Sequence, residues 1–232
     1  MSTLPPLGHL DLLLVAPSTA EFCTVPVGAA EFDVVANRIE GSVRNTGQVI
    51  GADVRSPAYP RYTPVLNRQS VSLISDTDLD HIAGELGLEA EACGKGLQSL
   101  AAAYEVAPRD VEGDAAVRLF LAQCLGVNVV VKGFQGAGEI EDFLVLPPGV
   151  DFGPYDAEQR KFTGATVMVT RVNTPCAQPA AMIAKYYPEV VEGVAKGFIV
   201  AGRGRRGFVG MVVRSGGMVE GDLVGFVPFG GR

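Results

Sequence analysis

The chain has 232 residues, 47% of them apolar and 19% charged, with a formal net charge of -7. That length and composition support a real core and exclude disorder, and the acidic balance argues against a general nucleic-acid binder. Glycine (29) and proline (15) are abundant, which favours many short strands and turns over long helices.

No basic, apolar leader stands at the N-terminus, and no stretch approaches the ~18 continuous apolar residues needed to span a bilayer. A soluble cytoplasmic protein without membrane partners is expected. Leu10 to Val15 is an apolar run closed by Ala16-Pro17 and predicts a buried strand. Val34 to Ala36 leads into a polar, glycine-bounded loop, residues 37–47. Residues 53–64 hold three prolines and the arginines Arg55 and Arg61, and predict an irregular loop. Gln69 to Ile74 alternates as a strand does. Ser75 or Asp76 can cap a helix from Asp78 to Leu86, which Gly87 ends.

Residues 88–126 carry helical periodicity. Leu97, Leu100, Ala101 and Tyr104 share one face, and Val117, Phe120, Leu121 and Cys124 share another. Asn128 to Val131 predicts a strand, as do Phe143 to Leu146 and Thr166 to Thr170. Ala180 to Tyr187 predicts a short helix stopped by Pro188. Gly207 to Val213 is expected to pair with Asp222 to Val227 across Ser215-Gly216-Gly217, with a second turn at Val219-Glu220-Gly221-Asp222. The pattern as a whole predicts a mainly β, α+β chain: one domain over 1–232, a β-barrel core decorated by helices, with a helical insertion at about 88–126 that would serve as a lid or a dimer surface.

Four scattered cysteines without a CxxC pair read as reduced thiols. With only His9 and His81, a zinc site is not expected, nor are haem, flavin or iron–sulfur groups. Cys176 stands apart. It follows the strand ending at Thr170 through Arg171-Val172-Asn173-Thr174-Pro175, so a proline-fixed turn presents its thiol near the surface. Arg203, Arg205 and Arg206 follow in a glycine-spaced cluster suited to an anion, or else forming a solvated loop. Asn67, Arg68 and Arg61, with Arg55 and Tyr59, are pocket-lining candidates or plain strand start and loop surface. Asn128 either joins strands by hydrogen bonds or contacts a ligand.

The ordered set Leu13 to Pro17, Arg38-Ile39-Glu40-Gly41, Asn67 to Ile74, Gly126 to Val131, Gly164 to Cys176, Gly204-Arg205-Arg206-Gly207 and Gly217 to Asp222 resembles the MOSC domain. That domain occurs at the C-terminus of molybdenum-cofactor sulfurases and in stand-alone bacterial proteins. The resemblance implies a β-barrel and molybdenum-cofactor or sulfur chemistry, with Cys176 as catalytic residue and molybdenum ligand in a reductase of N-hydroxylated compounds. It implies molybdopterin held by Arg203, Arg205, Arg206, Asn67, Arg68, Arg61 and Asn128, with electrons from a separate reductase. Two alternatives remain: a persulfide carrier acting through Cys176 and loaded by a cysteine desulfurase, and a non-catalytic cofactor-binding module. One departure stands out. The family loop usually runs Glu-Gly-Asp with a histidine soon after, whereas here Ser42 follows Glu40-Gly41 and Arg44 lies nearby. That departure would change the activity or remove it.

Overall fold

A computed structural model describes residues 7–19, 21–44, 46–51, 60–135, 150–189 and 193–228. The first half contributes β1 (Leu7–Val15), β2 (Val25–Pro26), β3 (Ala29–Asp33), β4 (Arg38–Ile39), β5 (Val49–Gly51), β6 (Pro64–Leu66) and β7 (Val71–Ser75). Three helices follow: α1 (Asp76–Leu86), α2 (Ala90–Ala103) and α3 (Gly113–Cys124). Then come β8 (Val129–Gln135), β9 (Val150–Asp156), β10 (Lys161–Phe162), β11 (Thr166–Val172), α4 (Ala177–Tyr186), α5 (Val194–Ala201), β12 (Phe208–Arg214), β13 (Gly216–Val219) and β14 (Leu223–Pro228).

Among the described residues, β9, β11, β12, β7, β8, β1 and β14 pair in that order, and β14 pairs back onto β9 to close a barrel. Six of these pairings are antiparallel. The seventh, β7 with β8, is parallel, and the chain crosses between those two strands through α1, α2 and α3. The fold is therefore an α+β barrel with a helical layer.

Strand alternation divides the apolar residues between two cores. Leu13, Leu73, Val129 and Val131 point into the barrel with Phe152, Val167, Phe208 and Phe226. Their neighbours Leu14, Ile74 and Val130 point outward, beneath the helices, where they meet Leu79, Leu97, Leu100, Phe120, Ile183 and Phe198. The periodic faces read in residues 88–126 are the faces α2 and α3 spend on this second core.

The helix-end signals act as expected. Ser75 Oγ accepts from the Asp78 amide at 3.0 Å, and Gly87 ends α1 in the left-handed region. The helix after Cys176 starts earlier than the sequence suggested, because Pro179 is accommodated in its first turn, where its missing N–H costs nothing. The expected pairing of Gly207 to Val213 with Asp222 to Val227 does not form. After β12 the chain turns through Gly216 into β13, which pairs with β3. β14 then enters the barrel between β1 and β9, while β12 lies between β11 and β7. The turn at Val219 to Asp222 does form, closed by the Asp222 amide on the Val219 carbonyl at 3.1 Å. The strand expected at Phe143 to Leu146 lies outside the described residues.

Candidate functional site

Cys176 sits where β11 hands over to α4. The Asn173 amide donates to the Gly207 carbonyl at 2.8 Å, which ties the end of β11 to the start of β12. Three residues later the chain reaches Cys176, the N-cap of α4, in extended conformation and with no side-chain cap bond. The thiol thus stands at the positive end of a helix. It is half-buried, whereas Cys23, Cys93 and Cys124 are fully buried. Burial pushes the Cys23 thiol up to about 11 and the Cys93 thiol up to about 12, so both stay protonated and inert.

Arg206 holds this turn in place. It is buried, at 4% exposure. Its Nη1 donates to the Thr174 carbonyl at 2.9 Å and lies 3.7 Å from Cys176 Sγ. Its Nη2 donates to the Leu125 carbonyl at 3.1 Å, at the end of α3. Gly207 makes this inward turn feasible: its φ is +68°, and a Cβ there would stand 1.9 Å from the Leu73 carbonyl oxygen. Arg205 turns the other way and pairs with Asp78 in the first turn of α1, Nη1 to Oδ1 at 3.2 Å. Burial raises the Asp78 carboxyl above its ordinary value, with Ser75 and Arg205 opposing. Arg203 is exposed.

The other nominated residues divide by burial. Asn67 is buried, donating to the Gly47 carbonyl at 2.9 Å and accepting from the Gln69 amide at 3.2 Å. Asn128 is buried between β1 and β7: Nδ2 donates to the Leu14 carbonyl at 3.2 Å, and Oδ1 accepts from the Ser72 amide and hydroxyl. Both asparagines knit chain segments together. Arg68 and Arg61 are exposed, and Arg61 lies over the Tyr62 ring. Arg55 and Tyr59 lie outside the described residues. For molybdopterin, the donor set fits at the metal end, where Cys176 offers a soft sulfur. Of the residues expected at the phosphate end, Asn67, Asn128, Arg205 and Arg206 each bond to the protein itself, while Arg203, Arg68 and Arg61 are exposed.

The structure adds three residues that were not among the expected site residues: Arg44, noted only as part of the departure from the family loop, Phe22 and Glu21. Arg44 stacks over the Phe22 ring with Cζ 4.3 Å from its centroid, and Arg206 approaches the same ring at 5.5 Å. Arg44 donates to the Glu21 carbonyl at 3.2 Å and, at 3.5 Å, to the carbonyl of Gly126. Glu21 anchors this segment through its carboxylate, which accepts from Tyr104 at 2.7 Å, Tyr186 at 3.0 Å and Lys185. Those bonds, Lys185 first, pull the Glu21 carboxyl down to about 2. Burial lowers the Arg44 guanidinium, and the Arg206 charge pushes the same way. The sequence signal was the departure at Ser42 and Arg44. Ser42 itself is buried, its Oγ accepting from the Ala16 amide at 3.3 Å.

No protein-family model matches the chain. A curated relative from Bacillus subtilis (strain 168), described as "Putative metal-sulfur cluster biosynthesis proteins YuaD", is 25% identical over 213 residues, covering 91% of this chain and 86% of its own. A crystal structure of YuaD from Bacillus subtilis aligns over 96% of this chain and 97% of that one, at 24% identity and a TM-score of 0.68. YiiM from Escherichia coli aligns over 94% of this chain and 69% of its own at 12% identity, with a TM-score of 0.45. The YuaD structure establishes that the barrel with its helical layer is a fold this chain shares. No helix among the described residues is long and apolar enough to cross a membrane.

Proposed function

We propose that this protein is a MOSC-type sulfur carrier that acts through Cys176 in building metal–sulfur centres. One observation carries the reading: the half-buried thiol at the head of α4, with a buried guanidinium nitrogen 3.7 Å from its sulfur. A positively flanked, accessible sulfur is suited to nucleophilic exchange. The Cys176 thiolate attacks the outer sulfur of a donor persulfide. The donor's S–S bond breaks as the Cys176 S–S bond forms, and the donor leaves as a thiolate with no net oxidation. Handing the sulfur on repeats the exchange in reverse. The metal–sulfur description attached to YuaD supports the same assignment. A cysteine desulfurase is the donor this chemistry requires.

The test is mass spectrometry of the purified protein after incubation with a desulfurase and cysteine. One added sulfur on the Cys176 peptide, absent in Cys176→Ser, is expected. An unmodified Cys176 peptide overturns the proposal.

A second reading keeps molybdenum as the partner of the same sulfur, in a reductase served by a separate electron donor. The soft, accessible thiol favours it. Near-stoichiometric molybdenum on protein from a cofactor-replete host, lost in Cys176→Ser, would select this reading over the carrier.

A further inference from the structure

Cys176, Arg206, Phe22 and Arg44 form a continuous series of contacts. Arg206 lies beneath, touching the sulfur on one side and the Phe22 ring on the other. Cys176, Phe22 and Arg44 are each half-buried, so each keeps solvent-accessible surface, and the contacts through Arg206 and the Phe22 ring link all three. Arg44 is held there by built features. Gly126 leaves it room: a Cβ at that position would stand 2.7 Å from Arg44 Nη2 and 2.8 Å from Phe22 Cε1. The Glu21 carbonyl fixes one nitrogen of its guanidinium.

No described carboxylate pairs with Arg44, whose hydrogen bonds run to the Glu21 and Gly126 carbonyls. The carboxylate of Glu21, whose carbonyl Arg44 holds, is committed to Tyr104, Tyr186 and Lys185. A guanidinium has five N–H donors, so Arg44 keeps donor capacity beside an aromatic wall and a second cation. Two like charges sharing one ring repel, and an anion arriving between ring and solvent relieves that repulsion.

We propose that Arg44, with Phe22 as its wall and Arg206 as its floor, is the recognition site for an oxyanion borne by the small reactant that meets Cys176. The inference rests on Cys176 as the reacting sulfur. It does not depend on whether that sulfur carries a persulfide or binds molybdenum.

Alkylation tests it on the full chain without a sulfur donor. Cys176 modification is timed by peptide mass spectrometry with iodoacetate and with neutral iodoacetamide. The ratio of the two rates cancels any change in thiol nucleophilicity. Losing that unit charge should lower the ratio by about threefold to tenfold in Arg44→Gln. Arg44→Lys, which keeps the charge without the planar stack, should retain most of the ratio and serves if Arg44→Gln melts early. Sodium acetate and inorganic phosphate are then titrated as competitors. The one that protects wild type at lower concentration names the oxyanion. An unchanged ratio in Arg44→Gln, or protection by neither anion, overturns the proposal. A missing sulfur adduct on Cys176 would overturn the carrier reading while leaving this ratio intact.

Discussion

Arg206 places one guanidinium nitrogen 3.7 Å from Cys176 Sγ while the same group donates to the carbonyls of Thr174 and Leu125. One side chain therefore joins the thiol's turn to the end of α3. Arg206→Met should leave both carbonyls without that donor and cost about 2–4 kcal/mol, read from a denaturant titration. Arg206→Lys should fall between, since an ammonium cannot span two acceptors as a planar fork does. Wild-type stability in Arg206→Met would show that the bridge contributes nothing.

Gly207 and Gly84 make a matched pair. At Gly207 a Cβ meets the Leu73 backbone at 1.9 Å with φ at +68°, so Gly207→Ala should destabilise by about 3 kcal/mol or more. Gly84 lies exposed within α1, and a Cβ added there would have nothing within 4 Å. Gly84→Ala should therefore stabilise by about 0.5–1 kcal/mol. Thermal melts of the two variants should move in opposite directions.

Thiol accessibility gives a third expectation. Four cysteines are present, and only Cys176 among them reaches the surface. A thiol reagent should label one cysteine in the native protein, mapped to Cys176, and four in denaturant. Rapid native labelling of Cys23, Cys93 or Cys124 would contradict the helical core.

Glu21 sets an acid limit. Its folded carboxyl titrates near 2, below the ordinary 4.5. It therefore contributes stability above about pH 4.5, and that contribution is lost as pH falls toward 2. Glu21→Gln should flatten the stability profile across that window in urea titrations. An unaltered profile would mean that the bonds from Lys185, Tyr104 and Tyr186 do not favour the ionised form.

Local chemistry was legible in the sequence, and long-range choice was not. The Ser75 cap and the Gly87 stop follow from side-chain identity at one helix. The Pro175-Cys176 turn was visible because proline and a strand end restrict the same few dihedrals. β9 escaped notice because Gly153 and Pro154 interrupt its pattern, and what demands the glycine is remote: a Cβ there would meet the Ala165 carbonyl oxygen at 2.2 Å. α5 is only eight residues long and Lys196-Gly197 interrupts its apolar residues, so too little pattern was left to show a helical face. Arg205 and Arg206 look equivalent between glycines, yet only the fold decides that one reaches Asp78 and the other lies beneath the thiol. Arg44 appeared only as a departure, because Phe22 and Gly126 are joined to it through space.

A ring of seven strands is odd, so strand direction cannot alternate all the way round. One seam must run parallel, and here it lies between β7 and β8. Neighbours that run the same way cannot be joined by a tight hairpin; the chain has to travel the length of the barrel before re-entering. The stretch that reads as an insertion is thus the return path that barrel arithmetic requires. Its last carbonyls, those of Leu125 and Gly126, are the ones Arg206 and Arg44 grip just before β8 begins. A shortened return that left those two residues misplaced would close the barrel and still lose the architecture around the sulfur.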